Sequence, residues 1–150
     1  MKASEYLKQL ETGAFILVET EGKRNVMTIG WGGLVRMWDR DILMVPVRTS
    51  RYTHELLQAV DEFIVSVPPE GAMLDELSFC GSRSGRNIDK IKDCDLTPSG
   101  GMVGCKNYRA KIILRQPMEE DKLDEAFLNN YYPLRNLHVL YYCEISDLDD

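Results

Sequence analysis

Arg48, Arg51, Arg83, Arg86, Lys90 and Lys92 stand among serines, threonines and glycines in two short stretches of this 150-residue chain. Residues 48–54 read RTSRYTH, and residues 81–92 read GSRSGRNIDKIK, with Asp89 as the one acid. The stretches carry +2 and +3 in a chain of net charge −6, so the remainder carries −11. Guanidinium binds phosphate oxygens in pairs, hydroxyls add donors, and glycine lets main-chain amides come close. That combination suits a small, doubly charged phosphate ester. A nucleic-acid backbone would need a broader basic surface, and the acidic remainder repels DNA, RNA and anionic membranes alike.

Ser50, Arg51, Tyr52 and Thr53 fall at the expected start of a helix, where free main-chain amides and the positive dipole end attract anions. Gly81 and Gly85 allow the second stretch to wrap an anion, with Ser84, Arg86 and Lys90 beside it. The plain alternatives are a capped helix with solvated arginines and a surface loop. Other chemistries find less support. Gly30-Trp31-Gly32-Gly33 does not match GxGxxG and no amphipathic helix follows it, and the pattern GxxxxGK[ST] is absent. His54 and His138 are far apart without companion ligands, so no metal site is expected. Cys80, Cys94, Cys105 and Cys143 show no CxxC or CxxH spacing and are expected as free thiols, Cys80 as a small buried residue.

Elements able to position these residues read mostly as short strands. Ala14 to Thr20 and Asn25 to Ile29 form a hairpin about Glu21-Gly22-Lys23. Strands follow over Asp41 to Val47, Glu62 to Val67 and Cys105 to Arg115. Leu137 to Ile145 alternates cleanly, with Leu137, Val139, Tyr141, Cys143 and Ile145 on one face and His138, Leu140, Tyr142 and Glu144 on the other. Helices are expected over Thr53 to Val60 and Asp121 to Tyr131, the latter ending before Pro133. Many hairpin-length strands with few crossover helices favour a mainly β fold, a β-barrel with appended helices, over a doubly wound sheet. Ordinary apolar content over this length predicts one domain, residues 1–150. With no membrane-length apolar run and no signal-peptide core in MKASEYLKQLETG, a soluble cytoplasmic protein is expected.

Three blocks in order, Asn25-Val-Met-Thr-Ile-Gly-Trp31, Arg48-Thr-Ser-Arg-Tyr-Thr-His-Glu-Leu56 and Cys80-Gly-Ser-Arg-Ser-Gly-Arg-Asn-Ile-Asp-Lys90, resemble the flavin reductase-like, FMN-binding split-barrel family, in particular its flavoredoxin-like branch. The resemblance runs from about Gly13 to Ile145. It implies a dimeric split β-barrel holding FMN near the subunit interface. By that resemblance Asn25, Met27 and Thr28, with Trp31 close by, line the flavin ring. Arg48, Ser50, Arg51, Tyr52 and Thr53 take the ribityl phosphate together with Ser84, Gly85, Arg86 and Lys90. His138, in the closing strand, lies near the flavin, where an imidazole titrating near neutrality could act on the ring or on a nicotinamide. The chain departs from the family at Cys143, where glycine is usual, and at Asp41-Ile42, where many relatives carry a proline pair.

The resemblance implies an FMN-dependent oxidoreductase that passes electrons from NAD(P)H through FMN to a flavin, a metal complex or a protein. Two other readings stay open: an FMN electron carrier reduced by a redox protein partner, and a nonenzymatic barrel that binds a phosphorylated ligand, haem or a deazaflavin.

Overall fold

In a computed structural model describing residues 1–148, seven strands form one antiparallel sheet in the order β2-β1-β5-β6-β7-β4-β3. The strands are β1 (Ala14–Thr20), β2 (Lys23–Ile29), β3 (Gly33–Met37), β4 (Arg40–Arg48), β5 (Glu62–Val67), β6 (Lys106–Pro117) and β7 (His138–Asp147). Tight turns close the first two hairpins. Glu21 and Gly22 have φ of 43° and 77°, and Trp38 and Asp39 have φ of 54° and 58°, so both turns use the left-handed backbone region whose geometry matches the right-handed twist of paired strands. β6 is long enough to pair with β5 through its first half and with β7 along most of its length, with a bulge at Ile112–Leu114.

The sheet curls until Ile16 and Val18 of β1, Met27 and Ile29 of β2, Val45 and Val47 of β4, Val65 of β5 and Tyr141 and Cys143 of β7 share one interior. β2 and β3 remain as unpaired edges, which makes the barrel split, as the family resemblance implied. Leu56 and Leu57 of helix α2 (Tyr52–Leu57) and Tyr6 and Leu10 of helix α1 (Ala3–Leu10) plug the same interior.

A second, smaller core lies outside the barrel. Phe15 and Leu17 of β1 and Val26 of β2 pack there against Leu77 and Cys80 of helix α3 (Leu74–Ser82), with Ile91 and Met102 from the following loop. β1 is therefore buried on both faces, which explains its unbroken apolar run. A buried hydrogen-bond network ties the loop down: Ser66 Oγ donates to Asn107 Oδ1 at 2.5 Å, and Asn107 Nδ2 donates to Met102 O at 3.1 Å.

Several expectations need correction. Short β3 and helices α1 and α3 were not expected from the sequence. The helix expected over Asp121 to Tyr131 is a 3-10 turn, Glu120–Lys122, followed by helix α4 (Glu125–Tyr131). Asp124 caps α4 by accepting from the Ala126 and Phe127 amides, so the chain restarts there. Its spaced apolar residues are not all core: Leu128 is buried while Phe127 and Tyr131 are exposed. Among the described residues no helix is long and apolar enough to cross a membrane.

Candidate functional site

Two cavities lie side by side where the end of β2, the end of β4, the start of α2 and the loop after α3 converge, and Arg51 lines both. The first, about 170 Å³, is lined by Met27, Thr28, Ile29, Gly30, Trp31, Pro46, Arg48, Arg51 and His138. The second, about 150 Å³, is lined by Asn25, Ser50, Arg51, Tyr52, Ser82, Arg83, Ser84, Gly85, Arg86 and Lys90. Either alone is below the roughly 300 Å³ of an ordinary ligand pocket, so a ligand bearing a ring and a phosphate would use the two together. Larger surface grooves of 520 and 760 Å³ lie elsewhere; Arg109 pairs with Glu62 in one and Lys8 with Glu70 in the other.

The first cavity sets the apolar side chains of Met27, Ile29, Trp31 and Pro46 beside the polar ones of Thr28, Arg48, Arg51 and His138. Trp31, 47% exposed, forms its rim, with its ring 5.2 Å from the His138 ring and 5.7 Å from that of Tyr131. Arg48 packs its guanidinium over Tyr132 at 4.8 Å and donates to Tyr131 O and Asn136 O, so its first task is holding the 131–136 segment against the cavity. Thr28 Oγ1 donates to Leu77 O at 2.6 Å, which commits the hydroxyl to α3.

His138 is buried, and Tyr132 Oη lies 2.7 Å from its Nδ1. Met118 Sδ, 3.4 Å from the same hydroxyl, is a weaker acceptor. The hydroxyl therefore donates to Nδ1, and the imidazole keeps its proton on Nε2. Burial, and then the positive charge of Arg48, push its pKa down to about 4. His138 is thus neutral near pH 7, which corrects the expectation of an imidazole titrating near neutrality.

The second cavity is cationic and built from main chain. Lys90 is 3% exposed, and its Nζ donates to Cys80 O at 3.0 Å and Arg83 O at 2.9 Å. Among the described residues no carboxylate pairs with it, and burial, then Arg51, push its pKa down to about 8. Arg51 stands at the N-cap position of α2 without a side-chain capping bond, donates to Gly81 O at 3.4 Å, and has its pKa lowered from the ordinary value by burial and by Arg48. Two half-compensated cations in one recess favour an anion there.

Asn25 lines this second cavity. Its Nδ2 donates to the fully buried Thr53 Oγ1 at 2.9 Å, while its Oδ1 is buried with no partner. Thr53 thereby acts through Asn25. Gly85 closes over that oxygen so tightly that a Cβ would sit 2.0 Å from Asn25 Oδ1 and 2.9 Å from Tyr52 Cδ2. Only glycine fits that approach.

Arg86 is less free than its sequence context implies. It pairs with Glu55, donates to Ser50 O at 3.0 Å and stacks over Tyr52 at 5.9 Å. Ser50 Oγ accepts from Asn136 Nδ2 at 3.0 Å, and Ser84 Oγ accepts from the Arg86 amide at 3.2 Å. The Arg24–Asp89 pair, at 2.9 Å, anchors the far side of the loop and holds the Asp89 carboxyl below its usual value. Sequence reasoning missed Pro46, Ser82, Tyr132 and Asn136. Pro46 flanks a recognised block and Ser82 lies within one, but nothing local marks Tyr132 or Asn136, whose partners are 6 and 86 residues away.

The sequence profile of the flavin reductase-like domain family matches residues 8–113. A protein of Archaeoglobus fulgidus with no assigned activity is 34% identical over 93 residues, which is 62% of this chain and 50% of that protein; the chain spans about half the length of that curated relative. Among solved structures, an FMN-binding protein from Thermus thermophilus matches with TM-score 0.68 at 22% identity, over 89% of this chain and 68% of its own. A flavoredoxin from Methanosarcina acetivorans matches with TM-score 0.66 at 20% identity, over 91% and 68%. The styrene monooxygenase flavin reductase of Pseudomonas putida S12 matches with TM-score 0.64 at 20% identity, over 89% and 75%. The chain belongs to the flavin reductase-like domain family.

Proposed function

We propose that this chain binds FMN across the two adjoining cavities and passes electrons from NAD(P)H through it to a flavin, a metal complex or a protein. The observation that supports this most directly is the adjacency of a recess backed by Met27, Ile29, Trp31 and Pro46 to a cationic one, joined at Arg51. The residues fit the group. Lys90 and Arg51 would meet the phosphate, and Gly85 holds the loop close against Asn25, whose buried Oδ1 has no partner within the chain. Met27, Ile29 and Pro46 would back the ring, with Trp31 at its rim.

Bound FMN supplies hydride acceptance and the release of electrons singly or in pairs. This chain's residues hold, orient and shield. Neutral His138, kept in one tautomer by Tyr132, offers an Nε2–H that can donate without adding charge. Arg48 places positive charge beside the ring cavity, which stabilises negative charge gained on reduction. Relatives described as a flavin reductase and as an NADH:FAD oxidoreductase support nicotinamide as donor.

A carrier role is favoured by one other observation. Trp31, Tyr131 and Phe127 make an exposed aromatic ledge at the cavity mouth, Trp31 edge-on to Tyr131 and Phe127 stacked on it, each at 5.7 Å, where a redox protein could dock. An anaerobic absorbance spectrum of FMN-reconstituted protein, taken before and after NADH or NADPH, separates the readings. An oxidised flavin band that bleaches within seconds supports the reductase. A band that persists until dithionite is added supports the carrier, and no bound flavin at all overturns both in favour of a nonenzymatic binding barrel. We further propose a cytoplasmic homodimer of single-domain subunits, since Leu134 is 84% exposed and Phe127 57% exposed on one side of the site. Light scattering should then give twice the chain mass of 17.2 kDa.

A further inference from the structure

Lys90 is set apart from the other lysines of the chain. They are exposed, and Lys2, Lys8 and Lys122 lie against Glu5, Glu70 and Glu119. Lys90 is buried, its Nζ donates to Cys80 O at 3.0 Å and Arg83 O at 2.9 Å, and no carboxylate among the described residues balances its charge. Burial, then the positive charge of Arg51, hold its pKa down to about 8, so near that pH about half of the molecules carry the neutral amine. A neutral amine has two N–H groups and one lone pair. The two carbonyls take the N–H groups, which leaves the lone pair free, and an unprotonated, desolvated lysine is a nucleophile.

The second cavity offers such a nucleophile a place for a leaving group. Lys90 lines it beside Ser50, Ser84 and Arg51, and Arg51 too has no carboxylate partner among the described residues. Each serine hydroxyl accepts one hydrogen bond, from Asn136 Nδ2 and from the Arg86 amide, and keeps its own proton to donate. A fixed cation with free hydroxyl protons suits a departing phosphate. At about 150 Å³ the cavity admits a phosphate carrying a small organic group rather than a large ligand. We propose that Lys90 is an acylation site for small acyl phosphates, the phosphate docking on Arg51, Ser50 and Ser84 while the acyl group passes to Lys90 Nζ. The modification needs no cofactor; only its consequence for FMN rests on the function proposed above.

The step balances without oxidant or metal. The Nζ lone pair attacks the carbonyl carbon of R–CO–OPO₃²⁻ and a C–N bond forms. The bond between that carbon and the bridging oxygen breaks, and the phosphate leaves with its electron pair. It takes up the proton that the nitrogen sheds, so the products are an amide on Lys90 and HPO₄²⁻. The amide nitrogen keeps one N–H, enough for one of the two carbonyls that Lys90 now serves. The positive charge is lost, which leaves Arg51 as the one cation of the recess that no carboxylate balances. Acylation therefore loosens the 81–90 loop by one hydrogen bond and weakens the recess for any later anion.

The test treats the full chain with acetyl phosphate at pH 8, then digests it and follows acetylation of each lysine by mass over time. Lys90 should be acetylated several-fold faster than any exposed lysine, and inorganic phosphate should slow Lys90 alone. Acetic anhydride, an acetyl donor without a phosphate, should reverse the order and mark the exposed lysines first. Acetylation of Lys90 no faster than that of exposed lysines, the same preference with acetic anhydride, or no protection by inorganic phosphate would overturn the proposal. FMN affinity of the acetylated chain, read by fluorescence titration, should fall about tenfold or more, and an unchanged affinity would overturn the stated consequence. A chain that is acetylated at Lys90 in this pattern, but whose unmodified form takes up no FMN, keeps the acylation site and loses the function proposed above.

Discussion

Lys90 is the side chain on which the anion site most depends. Arg86 carries a charge that Glu55 already balances, whereas Lys90 is buried with carbonyl partners only. Removing a charge-assisted hydrogen bond costs about 1.5–3 kcal/mol. Lys90→Met should therefore weaken FMN binding by about ten- to a hundredfold in Kd, measured by fluorescence titration, and Arg86→Ala should cost less. Because the Lys90 pKa lies at about 8, wild-type affinity should fall as pH rises through that value, while Lys90→Met stays flat. Equal pH profiles would place the phosphate elsewhere. Gly85→Ala tests the same recess sterically. A Cβ 2.0 Å from Asn25 Oδ1 cannot be accommodated without displacing Asn25 or the loop. Such overpacking costs about 1–3 kcal/mol, so both the melting temperature and FMN affinity should drop.

At the scale of elements, legibility followed local pattern. β1 and β5 were read with their observed bounds because dense β-branched and aromatic runs end at turn residues. β3 was lost behind Gly30-Trp31-Gly32-Gly33. Gly32, at φ 121°, lies so close to β4 that a Cβ would meet Met44 O at 2.4 Å, so a glycine cluster that looked like a loop is a strand entrance under close approach. α3 was lost because Met73 enters it in the left-handed region and Ser78, Gly81 and Ser82 dilute its helical signal, while tertiary packing of Leu77 and Cys80 secures it. α4 was misplaced at its start since the cap, Asp124, sits among other acids and only the structure shows its carboxylate receiving two amides. Asp124→Ala should cost about 1 kcal/mol, the usual worth of a cap, read from urea unfolding. FMN affinity should hardly change, since Asp124 touches neither cavity.

The same limit governs the site across the whole molecule. The two basic stretches were legible because charge, glycine and hydroxyl coincide locally. Tyr132 with His138, and Asn25 with Gly85, are products of folding that no spacing announces. One consequence is a distinctive dependence of stability on pH. His138 and the half-buried His54 are held below the ordinary histidine value of 6.5, His138 at about 4, chiefly by burial. Below pH 6.5 the unfolded chain takes up protons that the native one refuses, so stability falls as pH drops from 6.5 toward 4. Asp89, already low through Arg24, adds its own loss only below about pH 3.8, outside that window. Lys90 acts in the same direction at the alkaline end. Between about 8 and its ordinary 10.5 the unfolded chain again holds the extra proton, so stability rises with pH there. Buried Cys143 and half-buried Cys105 oppose it: their pKa values are raised from 9.0 to about 12 and about 11, so the native state keeps protons the unfolded chain loses above pH 9.0. Stability should therefore peak between pH 8 and 9 in the reduced apo-protein, measured as urea midpoints. In Lys90→Met the rise above pH 8 should vanish, and in His138→Gln the decline from 6.5 to 4 should shrink. An unchanged acid limb in His138→Gln would mean that its imidazole is not held neutral, and the assignment of an uncharged Nε2–H donor beside the ring cavity would fall with it.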